Sequence, residues 1–156
     1  MYGITRIDTI DEVTLVSFPS IPVDLPLLAE IFTAVADEDI LIDMVSQTAP
    51  VGDKIGIAFT CMDSDMVKVL ELTRQLQAKY PKIKPLVSNG NSKIQLYGEE
   101  MRVTPGVFAR MLSCLAGLDI EIKQVTTSEV DISLLVSEAD LEQSVDALAK
   151  GFGLAK

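Results

Sequence analysis

Histidine is missing from all 156 residues, and with it the commonest general base and the commonest metal ligand. Cysteine is scarce. Cys61 and Cys114 both sit inside apolar patterns and read as small reduced core residues rather than as a redox pair or metal ligands. Paired Cys/His zinc spacings, glycine-rich phosphate loops and a serine nucleophile elbow are all absent, so no catalytic residue, cofactor or metal is expected. No stretch approaches the roughly 18 consecutive apolar residues of a membrane span. The first residues lack the basic-then-apolar form of a secretion signal, and a cytoplasmic protein is the expectation. Positive charge is also in short supply. With 13 basic against 23 acidic residues the net charge is −10, which argues against nucleic acid and anionic membrane as partners.

Apolar residues are plentiful at 48 %, enough for a real core. They recur with an internal offset of 80 residues. Asp39-Ile40-Leu41-Ile42 returns as Asp119-Ile120-Glu121-Ile122, and Leu28, Ile31, Phe32 and Val35 return as Phe108, Met111, Leu112 and Leu115. Later in each unit the offset falls to 75, pairing Ile57 with Ile132, Phe59 with Leu134 and Asp65 with Asp140. The lost residues fall near Ala49-Pro50-Val51-Gly52-Asp53, a composition suited to a loop. Two copies point to a duplicated domain rather than a solenoid.

Each copy opens on a strand (13–18, then 93–97) followed by a helix with the i, i+3, i+4, i+7 apolar stripe just named. Two more strands follow, at 40–47 and 55–61, then 120–127 and 132–136. A second helix closes each copy. Its buried face is predicted from Met66, Val69, Leu70, Thr73 and Leu76, and in the second copy from Leu141, Val145, Leu148 and Phe152, with Ser137 as its N-cap. The first copy ends in a short strand at 84–87. The second has too few residues left for one, while a spare extended segment, 3–7, precedes the first copy. The expected fold is therefore α+β: two ferredoxin-like βαββαβ units side by side in an eight-stranded antiparallel sheet with helices on one face. The expected units are 9–91, and 92–156 completed by strand 1–8.

Three stretches are specific: residues 101–107 with Thr104-Pro105-Gly106, residues 40–47, and residues 126–133 with Thr126-Thr127-Ser128-Glu129. On these residues the chain resembles the tandem ACT domains that form the regulatory half of aspartokinases. The resemblance covers nearly the whole sequence and leaves no counterpart of the kinase half. It implies a non-catalytic regulatory module that binds a small amino acid where two units meet. It also implies a homodimer or association with a catalytic kinase subunit.

Chemically, a helix amino end offers unpaired N–H groups and partial positive charge to a carboxylate. Thr104 can cap such an end, Pro105 suits the first helical position, and Gly106 leaves room. The resemblance then implies an effector site of Thr104, Pro105, Gly106, Val107, Phe108, Glu121 and Ile122, with Asp43 and Gln47 from the facing unit. A second candidate set comprises Asp24, Leu25, Pro26, Leu27, Leu41, Ile42, Thr127 and Ser128. The chain departs from the family pattern at several of these positions. Leu25-Pro26 replaces Pro-Gly, Leu41 and Glu121 stand where an asparagine is usual, Lys123 replaces an acid, and Phe108 replaces a threonine. These changes favour a less polar amino acid, a single working site around Gly106, or an interaction scaffold that has lost its ligand. An acylphosphatase-like enzyme would need an arginine cradle, for which Arg102 is the sole candidate near a helix start.

Overall fold

The computed structural model describes residues 2–154; residues 1, 155 and 156, which include the ends of the expected second unit, lie outside them. The described residues hold six strands and four helices in the order β1 (Arg6–Pro22), α1 (Leu25–Asp37), β2 (Val45–Gln47), β3 (Lys54–Met62), α2 (Met66–Lys79), β4 (Leu86–Tyr97), α3 (Val107–Leu115), β5 (Gln124–Thr127), β6 (Asp131–Ser137) and α4 (Leu141–Gly151). Short 3-10 turns precede α2 at Asp63–Asp65 and α4 at Glu138–Asp140. The chain divides into two compact units, one of residues 12–90 and one of residues 1–11 with 91–156.

Eight separate strands were expected, and six are found because two pairs run together. Arg6 and Ile7 of the expected segment 3–7 and the whole of 13–18 fall in the single strand β1, and Leu86 and Val87 of 84–87 run on into 93–97 as β4. Each long strand passes from one unit to the other at a residue of positive φ, Glu12 at 58° in β1 and Gly90 at 69° in β4. In the 12–90 unit, Asp63 braces this region. Its carboxylate accepts from the Thr14 hydroxyl at 2.6 Å and from the Gly90 amide at 3.3 Å.

In the 12–90 unit β3 lies antiparallel between β1 and β2, with Val16 opposite Phe59 and Val45 also opposite Phe59. Alternate residues of β3 (Ile55, Ile57, Phe59 and Cys61) meet Val16 and Phe18 of β1. The same cluster takes Leu27, Ile31 and Val35 from α1 and Val69, Leu72 and Leu76 from α2, so both helices cover one sheet face. Phe32 closes it edge-on against Phe59, ring centroids 5.5 Å apart. Two sequence expectations shift here. Leu72, rather than Leu70, is buried on α2, and Leu27 supplements Leu28 on α1. Burial lifts the Cys61 thiol to about 11, helped by Asp65 and Asp63, which leaves it protonated and inert at neutral pH.

The other unit repeats the plan. Here β6 lies antiparallel between β4 and β5, with Ile94 opposite Leu134 and Val125 also opposite Leu134. Ile132, Leu134 and Val136 pack under Met111 and Leu115 of α3 and Leu148 of α4. Helices α3 and α4 approach closely at Gly151, where any side chain would overlap the Cys114 sulfur. Residues 40–44 and 120–123 are extended but mostly outside the ladder, so β2 and β5 are shorter than expected. In both copies the pairing continues past the start of the strand only through individual backbone bonds. The Asp43 amide donates to Thr60 O at 3.1 Å just before β2 begins, and the Lys123 amide donates to Leu135 O at 2.8 Å just before β5. The Thr60 hydroxyl then accepts the Met44 amide at 2.9 Å. Ser137 precedes the 3-10 turn without a side-chain cap, and α4 starts only at Leu141.

The leading segment is seated in this second core. Ile4 is fully buried among its residues, and the Thr5 amide donates to Tyr97 O at 2.8 Å. Gly98 has an ordinary extended backbone, yet a Cβ there would overlap the Gly3 carbonyl. Ile4→Ala should therefore cost about 2–5 kcal/mol, and Gly98→Ala about 1–3 kcal/mol, in urea unfolding. A loss below about 0.5 kcal/mol for both would show that the segment is not part of that core.

Across the 12–90 unit, Glu30 of α1 accepts from Lys79 Nζ and from the Tyr80 hydroxyl, each at 2.7 Å. Lys79, then Tyr80, hold its carboxyl below the usual value of 4.5. The sign follows from a depressed folded-state pKa. The contribution is present above 4.5 and is lost as pH falls through the lower, folded value. A carboxyl-detected NMR titration should place Glu30 below 4.5 and return it to the ordinary range in Lys79→Met/Tyr80→Phe; an unchanged midpoint would refute the bridge.

Candidate functional site

The amino end of α3 is set by a turn rather than by a capping side chain. Pro105 favours extended backbone at Thr104, and Gly106 follows at φ 82°, ψ 8°, the left-handed position of a Pro-Gly turn. A left-handed residue cannot begin a helix, so α3 starts at Val107 with Gly106 as its cap residue. This corrects the expectation that Thr104 caps and Pro105 opens the helix; no side chain caps α3. The first helical bond runs from the Arg110 amide to Gly106 O at 2.9 Å. The amides of Val107, Phe108 and Ala109 therefore have no partner within the helix and lie at the positive end of its dipole.

This end opens into a cavity of about 490 Å³ lined by Tyr2, Thr104, Pro105, Gly106, Val107, Ala109, Arg110 and Ser113. Every lining residue belongs to the 1–11/91–156 unit. Arg110 is the cavity's cation. Its guanidinium stacks on the Tyr2 ring at 3.5 Å from the centroid and donates to Gly151 O at 3.1 Å. These two contacts fix the plane of the fork and leave further N–H donors. The leading segment supplies Tyr2 to the lining, and beside it Gly3 at φ 91° packs so tightly that a Cβ would come within 2.9 Å of Val107 Cγ2. Two hydroxyls, of Thr104 and Ser113, complete the polar lining. The arrangement suits a small carboxylate with polar substituents: open amides, one oriented guanidinium and neutral hydroxyls.

Of the residues expected at the effector site, Thr104, Pro105, Gly106 and Val107 line this cavity. Phe108 does not. It is 43 % exposed and, with Met101, Thr127 and Ile132, lines a separate hollow of about 380 Å³. Glu121 is exposed and Ile122 packs against the core, both outside the cavity lining. Asp43 and Gln47 lie in the 12–90 unit; Gln47 is on β2 and lines a shallow hollow of about 330 Å³ with Ser17, Pro19 and Gly56.

In the second candidate set, Asp24 caps α1 through a long 3.5 Å bond from the Leu27 amide, and Leu25 and Pro26 form the first helical positions. Leu27 is buried, Ile42 is partly buried, and Leu41 is 84 % exposed. Ser128 accepts from the amides of Val130 and Asp131, both at 3.2 Å, and its hydroxyl bonds the Asp131 carboxylate, so it holds the β5–β6 turn. Arg102, the arginine that an acylphosphatase-like enzyme would need, is paired with Glu99 and Glu129 at the surface. Among the described residues no group of three or more His, Cys, Asp or Glu could hold a metal ion, and no helix is long and apolar enough to cross a membrane.

Arg110, Ser113 and Tyr2 were not anticipated. The first two carried a signal, because 106, 110 and 113 fall on one face of a helix that begins there. Tyr2 carried none.

Residues 94–152 match the ACT domain family. Taken over its whole length, the chain resembles the regulatory region of aspartokinases. It is 35 % identical over 145 residues to the aspartokinase of Mycolicibacterium smegmatis, covering 92 % of this chain and 34 % of that protein. The chain thus spans about a third of the length of the curated relatives it matches. The structure superimposes on one chain of a crystal structure of aspartokinase alpha and beta subunits with a TM-score of 0.86 at 26 % identity, covering 97 % of this chain and 99 % of that one. The ligand-free regulatory subunit of aspartate kinase from Thermus thermophilus shares the fold, with a TM-score of 0.86 at 24 % identity over 96 % and 99 % of the two chains.

Replacing Gly106 tests the turn directly. A Cβ there meets open space, so only the φ of 82° opposes it. Gly106→Ala should cost about 1–2 kcal/mol in urea unfolding, with the native fold retained; no loss would mean that the left-handed turn is dispensable.

Proposed function

We propose that this protein is an amino-acid-responsive regulatory module without catalysis of its own, acting on a kinase of amino-acid biosynthesis. The cavity at the amino end of α3 carries this reading. The effector's α-carboxylate meets the amides of Val107, Phe108 and Ala109 and the Arg110 guanidinium. The Thr104 and Ser113 hydroxyls face the ammonium, and Tyr2 and Val107 set the width available to the side chain. The effector is a small and only moderately polar amino acid. Its action is a population shift: binding favours one arrangement of the chain by no more than its preference for that arrangement over the alternative. The partner that reads the shift is a second copy of this chain or a catalytic kinase subunit. The 91–156 unit depends for its own folding on the leading residues 1–8.

A ligand-free interaction scaffold is the second reading. Large apolar side chains left open, such as Leu41 and Val67, support it.

Calorimetric titration of the full chain with each of the twenty amino acids separates the two. The sensor reading expects one or a few to bind at or below millimolar concentration. Arg110→Ala should weaken that binding about tenfold to a hundredfold, the worth of a hydrogen bond to a charged group. Absence of binding by all twenty at millimolar concentration would leave the scaffold.

A further inference from the structure

A second cavity lies in the 12–90 unit and shares no residue with the α3 cavity. Its origin is local. Helix α2 ends at Lys79, with the Tyr80 amide bonded to Leu76 O at 2.7 Å. Pro81 cannot prolong the helix. The chain turns sharply instead, the Ile83 amide donating to Tyr80 O at 2.9 Å, and buries Ile83 in the core. The turn is pinned to α1 through Glu30, which holds Lys79 and the Tyr80 hydroxyl. Between this turn, the end of β1 and the start of β3 lies a hollow of about 320 Å³.

Its floor and walls are apolar, formed by Pro22, Leu27, Tyr80, Pro81 and Ile83. Its charged lining is of one sign: Lys54, Lys79 and Lys82, with no acidic residue and a single neutral hydroxyl, Ser20. In a chain of net charge −10 with only 13 basic residues, three lysines around one hollow are a marked local reversal. Glu30 neutralises Lys79, but among the described residues Lys54 and Lys82 enter no ion pair. Uncompensated like charges beside an apolar hollow repel one another, and an anion with an apolar body relieves that repulsion while filling the hollow.

We propose that this hollow is a binding site for a small carboxylate with an apolar, aliphatic or aromatic body and no ammonium group. The body lies between Leu27, Tyr80 and Pro81, and the carboxylate faces Lys54 and Lys82. An amino acid is disfavoured because its ammonium would meet the uncompensated Lys54 and Lys82, while Glu30 is already engaged by Lys79 and the Tyr80 hydroxyl. The site differs in this from the α3 cavity, whose charged lining is a single guanidinium already held by a ring and a carbonyl, beside neutral hydroxyls.

The test is amide-resolved NMR titration of the full chain with 3-phenylpropanoate, phenylalanine and 3-phenylpropan-1-ol. The amino acid adds an ammonium to the first probe, and the alcohol removes its charge. Saturable shifts at Leu27, Tyr80 and Ile83 are expected with 3-phenylpropanoate, with affinity about tenfold weaker or worse for the other two. Lys54→Glu/Lys82→Glu should weaken 3-phenylpropanoate binding about tenfold, and each single variant about threefold, with the amide dispersion unchanged because both side chains are exposed. The proposal is overturned by no saturable shift at about 10 mM, by equal binding of phenylalanine or the alcohol, or by unaltered affinity in the charge-reversed variants. Shifts at residues 104–110 report the α3 cavity separately, so failure at one site is distinct from failure at the other.

Discussion

The carbonyl of Gly3 occupies the space that a side chain on residue 98 would fill, and much of the second unit depends on that contact. It lets the leading segment lie against the end of β4, which carries Ile4 into the core beside Met111 and Ile132. The same placement sets Gly3 against Val107 and brings the Tyr2 ring under Arg110. One backbone approach therefore supplies both a buried side chain and a wall of the cavity. Core stability and the shape of the candidate site are coupled through it.

The two units use a shared plan for different ends. Each has a proline at or just before the start of its first helix, but the chemistry at the two starts diverges. In α3 the left-handed Gly106 leaves three amides open and uncapped. In α1 Asp24 reaches back to the Leu27 amide and Pro26 removes a donor, so a negative side chain and a ring stand where an anion would approach. The anion-attracting features of the 12–90 unit lie instead at the far end of α2, where lysines rather than a helix dipole supply the positive field. A duplication can thus keep its core residues in register while the polar groups around the equivalent helix starts diverge.

The acidic surplus and the few cations are also distributed with some economy. Arg74 is tied to Glu71, Arg102 to Glu99 and Glu129, and Lys79 to Glu30. These exposed pairs add little stability individually. Their consequence is that the cations left for recognition are few. Arg110 is held by a ring and a carbonyl, and Lys54 and Lys82 stand beside the α2 hollow.

The duplicated α+β plan was legible in the amino-acid sequence, because a buried helix stripe and an alternating strand are written in local spacing. Leu28 to Phe108 and Phe59 to Leu134 keep the 80- and 75-residue offsets whatever the chain does elsewhere. The Thr104-Pro105-Gly106 turn was legible for the same reason, since proline and glycine restrict backbone angles locally. Its exact consequence was not: only the structure shows that Gly106 delays the helix to Val107. That β2 and β5 begin only at Val45 and Gln124 was not legible, because their extent is set by pairing with β3 and β6 rather than by their own residues. Likewise Tyr2 and Arg110 are 108 positions apart, and Lys54 and Lys82 28 apart. Composition fixed how many such groups there are. Which of them share a cavity was decided by tertiary packing, because convergence of distant side chains leaves no periodic trace in the chain.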